Sequence, residues 1–440
     1  MKEECEVYQV NPIDLKKIKN REHTVRVPGS KSITNRALLL AVLSRGKSTL
    51  TGVLFSEDSR YFMECVQNLS FEISINEPEK KVEIVGGAGK IPKEKAKLYV
   101  GSAGTAARFL TALLGVSKGE YFLDASDQMK KRPMKPLLAS LKELGAEINY
   151  VDKEGYFPFS LTANGVTKQE ISVNIDDSSQ FLSALLISGC CTNKDFTIHV
   201  KGAHGMAYID ITTRMMEEFG VRALKQEDNG EISYFIPENQ YYRGRDYAVE
   251  PDLSAACYFY AMAMLLGIRV CVEGVRMDTF QGDIQFLKLL ERMGGKIEET
   301  KEGVALRGAE SGKFQGVEVD MHAFSDQALT LAALAPFCDA PTTITGIGHT
   351  RGQECNRIAA ICTELTKLGV RCEELSDGVR IYPAENIHGG QVCTYEDHRV
   401  AMSFALIGLR VPGIVIEHPS CCRKTFENYF QVFEDLCLRI

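Results

Sequence analysis

Apolar, helix-forming runs alternate along the chain with short clusters of small and polar residues. One such combination recurs six times at a spacing of about 75 residues. In each copy a polar cluster is followed at once by a run such as ALLLAVL or FLTALLG, and the six clusters begin at Gly29, Gly101, Asp176, Asp252, Ser325 and Glu396. A helix start leaves backbone N–H groups unpaired and carries partial positive charge. The pattern therefore predicts six helices whose N-termini can bind anions.

A second marker repeats in step with the first. Gly145, Gly220, Gly294 and Gly369 each follow an amphipathic pattern such as LKELGAEI and precede alternating polar and apolar residues. Glycine after a helix is the usual left-handed cap, and the alternation is typical of a strand. The segment at positions 66–75 keeps the register without the glycine. Chance recurrence of common helix caps is the alternative, but two markers with one period indicate repeated αβ units with two helices each.

Length and composition narrow the class of protein. The chain has 440 residues, enough for two domains of roughly 200 residues that each bury a core. The N-terminus has no apolar signal core, and the longest nearly apolar run, 255–266, is too short to span a bilayer. The 14 cysteines form no C-x-x-C motif, which predicts reduced thiols in a cytoplasmic protein. The eight histidines show no spacing typical of zinc ligands, so we expect no metal.

The charges point to a small anionic ligand. The net charge of −7 argues against nucleic acid as the main partner. Many basic residues nevertheless fall in or beside the polar clusters: Lys31, Arg36, Arg108, Lys130, Lys131, Arg132, Arg351, Arg357, Arg399, Arg423 and Lys424. Arg36 lies one helical turn after Ser32, so that with Lys31 these residues can grip a carboxylate or phosphate. A solvated charged face is the alternative, and it fits Lys130 and Lys131 better than arginines inside apolar helices.

Nine segments, from about Val27 to Phe430, resemble one enzyme family in order and spacing. They are PGSKSITNRALLLAVL, GSAGTAARFL, MKKRPMKPLL, DDSSQFLSALL, AYIDIT, FSDQALT, ECNRI, YEDHRVAMSFAL and CCRKTF. By these motifs the chain resembles the 5-enolpyruvylshikimate-3-phosphate synthases, which are 3-phosphoshikimate 1-carboxyvinyltransferases. The resemblance implies an α/β fold, a two-domain inside-out α/β barrel. Each domain would have three repeated βαβαββ units, and the substrates would bind in the central cleft.

The resemblance also implies a reaction. The enolpyruvyl group of phosphoenolpyruvate is transferred to the 5-hydroxyl of shikimate 3-phosphate by addition and elimination, phosphate is released, and no cofactor or metal is needed. Such a site must supply cations for two phosphates and two carboxylates, a base for the hydroxyl proton and an acid for the methylene carbon. The implied setting is aromatic amino-acid biosynthesis in the cytoplasm. We expect a monomer with small-molecule substrates and without nucleic-acid or membrane partners.

The family's site residues carry over motif by motif. The resemblance implies a phosphoenolpyruvate-binding set of Lys31, Gly104, Thr105, Arg132, Arg357, Arg399 and Lys424. It implies a shikimate 3-phosphate-binding set of Ser32, Arg36, Ser178, Ser179, Gln180, Tyr208, Asp326 and Gln353. The implied catalytic residues are Asp326, Glu354, Lys31 and Lys424. Asp326 resembles the group that faces the 5-hydroxyl, and Glu354 resembles the acidic residue at the enolpyruvyl carbon. The sequence leaves the acid and base roles open among Asp326, Glu354 and Lys424.

Several of these residues have simpler interpretations. Asp326 precedes an apolar helix and could cap it, and Ser178 and Ser179 could do the same at their helix. Glu354 could be a surface helix residue. Arg108, before an apolar run, is expected to be structural rather than a direct ligand.

The chain departs from the family's pattern at three positions. Gln353 stands where a lysine is common, which removes a cation from the site. Gly205 stands where a phosphate-contacting serine is common, and Ser102 replaces a frequent asparagine. Gly104 leaves room beside the phosphoenolpyruvate pocket, as in glyphosate-sensitive members, whereas Gln353 weakens the cationic field. We expect sensitivity to glyphosate.

The sequence leaves two alternatives to this function. The first is a transferase of the same fold that acts on another acceptor, such as UDP-N-acetylglucosamine, but the reactive cysteine loop of that family is not found here. The second is a catalytically weak anion-binding relative. The repeats predict a first domain at 29–249, on the shikimate 3-phosphate side. They predict a second domain formed by 1–28 and 250–440, in which the N-terminal segment completes the last repeat.

Overall fold

The computed structural model describes residues 6–309 and 311–440. Its contacts divide the chain into two compact units. The continuous unit comprises Gly29–Glu250, and the split unit comprises the described part of 1–28 together with Pro251–Ile440. The predicted second domain also included residues 1–5, which lie outside the described part of the chain.

The α-helices are of two kinds, apolar helices that follow the polar clusters and amphipathic helices that precede the hairpins. Their bounds are α1 Lys31–Leu43, α2 Glu57–Asn68, α3 Gly104–Val116, α4 Asp127–Lys130, α5 Lys135–Glu143, α6 Gln180–Gly189, α7 Met206–Glu218, α8 Leu253–Leu266, α9 Ile284–Arg292, α10 Ala328–Leu334, α11 Arg357–Lys367, α12 His398–Gly408 and α13 Tyr429–Arg439. Short 3-10 segments at His322–Gln327, Gly348–Gly352 and Pro419–Lys424 also carry residues of interest.

The strands are short and form six small sheets. Their bounds are β1 Val7–Gln9, β2 Glu22–Val25, β3 Arg45–Thr51, β4 Glu72–Asn76, β5 Lys81–Gly87, β6 Lys95–Tyr99, β7 Lys118–Asp124, β8 Glu147–Tyr150, β9 Phe159–Asn164, β10 Glu170–Asn174, β11 Phe196–Lys201, β12 Leu224–Asp228, β13 Glu231–Ile236, β14 Asp246–Ala248, β15 Arg269–Glu273, β16 Lys296–Glu299, β17 Gly303–Arg307, β18 Glu318–Asp320, β19 Thr342–Thr345, β20 Cys372–Leu375, β21 Gly378–Ile381, β22 Gly390–Val392 and β23 Ile414–Glu417.

The continuous unit has three four-stranded sheets, ordered β14-β3-β5-β4, β6-β7-β9-β8 and β10-β11-β13-β12. In each sheet the first two strands are parallel and the other neighbours are antiparallel. Parallel strands need a crossover, which α3 and α6 supply in the second and third sheets. The first sheet takes its parallel edge strand, β14, from the end of the unit. The βαβαββ order implied by the resemblance is present.

The split unit repeats this plan with sheets ordered β16-β17-β15-β2, β18-β19-β21-β20 and β1-β23-β22. Two strands come from the N-terminal segment. Strand β2 lies parallel to β15, and β1 lies antiparallel to β23. The last sheet is the three-stranded one. The first 28 residues therefore supply an edge strand to two sheets of this unit.

Each unit buries its apolar helices beneath the sheets. In the continuous unit α3 packs against both α1 and α6, and in the split unit α8, α10 and α12 pack against one another. These helices are buried on nearly all sides and join the apolar faces of the strands in one core per unit. The predicted α/β class with internal helices and surrounding sheets is confirmed.

Both sequence markers correspond to backbone features. The six predicted helices are present, although the fifth cluster first forms the 3-10 segment His322–Gln327 before α10 begins at Ala328. All four marker glycines have positive φ, between 85° and 110°. In the repeat without the glycine, Ser70 takes the left-handed position with φ 66° and precedes β4.

Among the described residues every cysteine is a free thiol, and Cys65, Cys190, Cys257, Cys271, Cys338 and Cys422 are buried. In the described part of the chain, no α-helix has both the length and the apolar character that a bilayer crossing requires.

Candidate functional site

The split unit holds a cluster of buried charges around Arg357, the first residue of α11. Its guanidinium is 3% exposed and contacts three carboxylates. Nε donates to Oδ2 of Asp397 at 2.9 Å, Nη1 to Oδ1 of Asp326 at 3.0 Å, and Nη2 to Oε2 of Glu354 at 3.0 Å. Nη1 also donates to the Gln353 carboxamide oxygen. Burial disfavours the cation, but these carboxylates outweigh it and raise the pKa of Arg357 above the ordinary arginine value.

Two further cations complete this acid cluster. Arg399, on α12, donates from Nη2 to Oδ2 of Asp326 at 2.8 Å, and the Lys424 ammonium lies 3.2 Å from Oε1 of Glu354. Lys424 is itself buried. The structure thus brings together six residues that the sequence predicted for the site: Gln353, Glu354, Arg357, Asp326, Arg399 and Lys424.

The geometry decides two of the simpler interpretations. The N-cap residue of α10 is Gln327 rather than Asp326. The two carboxylate oxygens of Asp326 accept hydrogen bonds from Arg357 and Arg399 instead. Glu354 is 11% exposed and pairs with Arg357 and Lys424, so it is not a surface residue.

Asp397 is a member of the acid cluster that the sequence did not assign to the site. Its side chain is completely buried, caps α12 by accepting from the Arg399 backbone N–H at 2.9 Å, and holds Nε of Arg357. The signal that could have found it is an aspartate directly before a predicted buried helix that begins with basic residues. Such a carboxylate needs a cationic partner as well as a cap.

The continuous unit places Lys31 at the first turn of α1. Its ammonium lies 3.3 Å from Oδ2 of Asp58, whose side chain is 3% exposed. Asp58 belongs to α2 and was not recognised from the sequence. Ser30 is the N-cap residue of α1, and its side chain makes no capping bond.

Arg36 is held inside the continuous unit rather than presented at its surface. Its Nε donates to the Thr212 hydroxyl at 2.8 Å, and Nη1 donates to the Ser32 carbonyl at 2.9 Å. Nη2 donates to the Ser183 hydroxyl at 3.2 Å and the Tyr208 carbonyl at 3.1 Å. Burial lowers its pKa to about 10. These contacts join α1, α6 and α7. A direct ligand contact by Arg36 stays a prediction, and such a ligand would compete with these acceptors.

The start of α3 faces arginines closely. A methyl group added at Gly104 would lie 2.7 Å from Nη1 of Arg132 and 2.9 Å from Nη1 of Arg108. The Gln180 amide bridges this region, donating to the Thr105 hydroxyl at 3.1 Å and accepting from Arg108 Nη1 at 2.6 Å. Arg108 also lies over the Phe181 ring, 5.1 Å from its centroid. The expected structural role of Arg108 fits these contacts.

The start of α6 brings Ser178, Ser179 and Gly205 together. The Ser178 hydroxyl accepts from the Gln180 backbone N–H at 3.3 Å, whereas Ser179, the N-cap residue, makes no side-chain capping bond. Gly205 has φ 67°, and a Cβ there would lie 2.6 Å from the Ser179 hydroxyl oxygen. A serine at 205 would therefore be strained and would collide with Ser179. The glycine suits this backbone.

The fold first identifies the class of protein. The chain is similar to a solved EPSP synthase from Acinetobacter baumannii, with a TM-score of 0.80 and 23% identity over 98% of each chain. It is also similar to the enolpyruvyl transferase NikO from Streptomyces tendae, with a TM-score of 0.77 and 17% identity over 98% of each chain. At these identities the likeness establishes the fold, which is that of the enolpyruvyl transferases.

The sequence comparisons then give the family. The family described as EPSP synthase (3-phosphoshikimate 1-carboxyvinyltransferase) matches residues 15–433. A 3-phosphoshikimate 1-carboxyvinyltransferase of Trichormus variabilis is 43% identical over 411 residues, which are 93% of this chain and 95% of the relative. A 3-phosphoshikimate 1-carboxyvinyltransferase 2 of Halalkalibacterium halodurans is 37% identical over 440 residues, covering 99% and 96%. The chain belongs to the EPSP synthase family.

Proposed function

We propose that this protein transfers the enolpyruvyl group of phosphoenolpyruvate to the 5-hydroxyl of shikimate 3-phosphate, giving 5-enolpyruvylshikimate 3-phosphate and phosphate. The observation that carries the proposal is the acid cluster, in which Asp326 and Glu354 are held by one arginine beside the Lys424 ammonium. A reaction that removes a proton from a hydroxyl and adds one to carbon needs a base and an acid at fixed positions. Membership of the family supplies the substrates.

The reaction divides into addition and elimination. In the addition, Asp326 accepts the proton of the 5-hydroxyl, and the hydroxyl oxygen bonds to C2 of phosphoenolpyruvate. The C3 methylene becomes a methyl group with a proton from the Lys424 ammonium, or from Glu354 when that carboxyl group is protonated. In the elimination, the methyl group returns a proton to the protein, the bond between C2 and the phosphate oxygen breaks, and phosphate leaves. Asp326 and Glu354 thus have separate roles, consistent with their separate cationic partners, Arg399 and Lys424.

The charge balance of the cluster explains how substrate could activate the base. Arg357, Arg399 and Lys424 carry three positive charges, and Asp326, Glu354 and Asp397 carry three negative charges. Phosphoenolpyruvate adds a phosphate and a carboxylate, which compete with these carboxylates for the arginines. When Arg399 turns to the substrate, Asp326 loses an arginine hydrogen bond and becomes a stronger base.

The remaining assignments follow the family motifs. We propose Lys31, Gly104, Thr105 and Arg132 as further phosphoenolpyruvate contacts. Shikimate 3-phosphate contacts are proposed for Ser32, Arg36, Ser178, Ser179, Gln180, Tyr208 and Gln353. Gln353 lacks the usual positive charge, but its carboxamide accepts from Arg357, so a lysine there would repel that arginine unless the side chain moved.

We also propose that the protein acts as a cytoplasmic monomer. Size-exclusion chromatography with light scattering measures the molecular mass.

Phosphate release from the purified full chain tests the function. With shikimate 3-phosphate and phosphoenolpyruvate together we expect steady release, and with either alone we expect none. Release with UDP-N-acetylglucosamine in place of shikimate 3-phosphate would favour the other acceptor. A folded protein that binds shikimate 3-phosphate but releases no phosphate would instead be an anion-binding relative.

Substitution of Gly104 by alanine should weaken phosphoenolpyruvate binding. The new methyl group would meet the Arg132 and Arg108 guanidinium ends at under 3 Å, and because these ends are flexible they should move rather than unfold the helix. We expect KM for phosphoenolpyruvate to rise about tenfold, as for loss of one charged hydrogen bond of about 1.5 kcal/mol. Glyphosate inhibition should weaken in parallel, while KM for shikimate 3-phosphate stays nearly constant. Gly115→Ala, on the same helix against Leu141, is the control for a packing effect alone.

A further inference from the structure

A short buried segment of the split unit supports the start of α8 through two side chains. Gln281 accepts from the Leu253 backbone N–H at 3.0 Å and donates to the Pro251 carbonyl at 2.9 Å. Asp283, the N-cap of α9, accepts a short hydrogen bond from the Ser254 hydroxyl. Both side chains belong to residues only 6% exposed. Gln281 supports the helix start through hydrogen bonds of a neutral side chain, whereas Asp283 places a carboxyl group in the interior.

Asp283 interacts electrostatically with titratable groups on three other elements. The titratable groups that face it are Asp252 and Cys257 at the start of α8, Asp326 on the 3-10 segment, and Arg399 on α12. Helix α9 packs against both α8 and that 3-10 segment. The pKa of Asp283 is raised from 3.8 to about 7; burial is the largest cause, the negative charge of Asp326 adds to the rise, and Arg399 opposes it.

We propose that Asp283 is a positioning residue for the transfer reaction: held by Ser254, its carboxyl group shares the field of Arg399 with Asp326 and makes Asp326 a better proton acceptor. The physical reason is competition. In the structure Asp326 accepts from two arginines, each of which stabilises its negative charge and opposes proton uptake. The Asp283 carboxylate offsets part of the positive charge of Arg399 at Asp326. The proposal rests on the function proposed above and on the role of Asp326 as base.

The pH dependence of Asp283→Asn tests the proposal. Asparagine has the shape of the neutral acid and can still accept from Ser254, so the full-length variant should match the wild type within about twofold at pH 6, as expected for a nearly isosteric change. At pH 9 its kcat should be about tenfold lower, because the base is then about one pKa unit weaker. The ionisation near pH 7 in the wild-type kcat profile should be absent from the variant.

Stability provides a readout that separates positioning from mere support of the fold. Because the folded-state pKa of Asp283 lies above the ordinary value, the native state retains a proton that the unfolded chain releases between about pH 4 and pH 7. The wild type therefore loses stability as pH rises through that window, and Asp283→Asn does not. The difference in thermal midpoint between the variant and the wild type should therefore shift in favour of the variant from pH 5 to pH 8. Over the same range the kcat of the variant should fall relative to the wild-type kcat.

Two further variants complete the experiment. Gln281→Ala removes the two hydrogen bonds between this segment and the start of α8. It should lower the thermal midpoint and leave the ionisation near pH 7 in the kcat profile. Ser254→Ala removes a hydrogen bond that lowers the pKa of Asp283, so it should move the ionisation in the kcat profile to higher pH. This variant serves as the test if Asp283→Asn fails to fold. Wild-type phosphate release that requires both substrates, together with an unchanged kcat profile in Asp283→Asn and Ser254→Ala, would refute the positioning role alone. Absence of wild-type release would refute the proposed function itself.

Discussion

Asp326→Asn should lower kcat by about 10²–10⁴-fold, the usual contribution of a positioned proton-transfer group. The amide keeps the shape of the side chain and can still accept one arginine hydrogen bond, but it cannot take the proton of the 5-hydroxyl. Arg357 retains Asp397 and Glu354 as partners, and the amide oxygen at position 326 can accept from Arg399. We therefore expect KM for phosphoenolpyruvate to change much less than kcat. Steady-state phosphate release with each substrate varied in turn measures both.

Ser325→Ala is the matched control for this substitution. Ser325 is the preceding residue on the same 3-10 segment, and its hydroxyl lies 2.9 Å from Nε2 of His349. Its loss should change kcat by no more than about fivefold, because one neutral hydrogen bond contributes about 1 kcal/mol or less. Equal losses in the two variants would show that the segment's geometry, rather than the carboxylate, limits the reaction. A fully active Asp326→Asn would remove Asp326 as the base.

Local features of the fold could be predicted because their causes are local. The helix starts follow from polar clusters before apolar runs, and the four marker glycines occupy the left-handed position that ends each helix. The repeat that lacks the glycine shows that residue type alone does not decide this backbone conformation. Ser70 adopts the same backbone conformation, because the helix must still reverse into β4 whatever residue is present.

The partners of the charged side chains could not be predicted from spacing. Arg36 binds Thr212, which is 176 residues away along the chain, and Arg357 binds Asp397, which is 40 residues away. Such pairs depend on how the units fold back on themselves. The sequence indicated which arginines are buried, because they lie inside apolar helices. It did not indicate that Arg36 would be occupied by acceptors of its own unit or that Asp58 would face Lys31.

Asp397→Asn should be the most destabilising conservative change in the acid cluster. The carboxylate is fully buried, and it meets Nε of Arg357 and the Arg399 backbone N–H. Removing one partner of a buried ion pair is destabilising by about 3–5 kcal/mol. Since Arg357 keeps two other carboxylates, we expect a value near the lower end, which for a unit of this size is a fall in thermal midpoint of about 6–12 °C. Differential scanning calorimetry without ligands measures it.

Cys355→Ala distinguishes the charge of Asp397 from the packing around it. The Cys355 thiol lies 3.5 Å from Oδ2 of Asp397, and burial, with the charge of Asp397, raises its pKa, so it is a neutral neighbour of the carboxylate. Its removal should lower the midpoint far less. If Asp397→Asn is instead as stable as the wild type but has a raised KM for phosphoenolpyruvate, Asp397 serves to orient Arg357 for the substrate. The stability of the cluster would then rest on Asp326 and Glu354, which also carry the proposed chemistry.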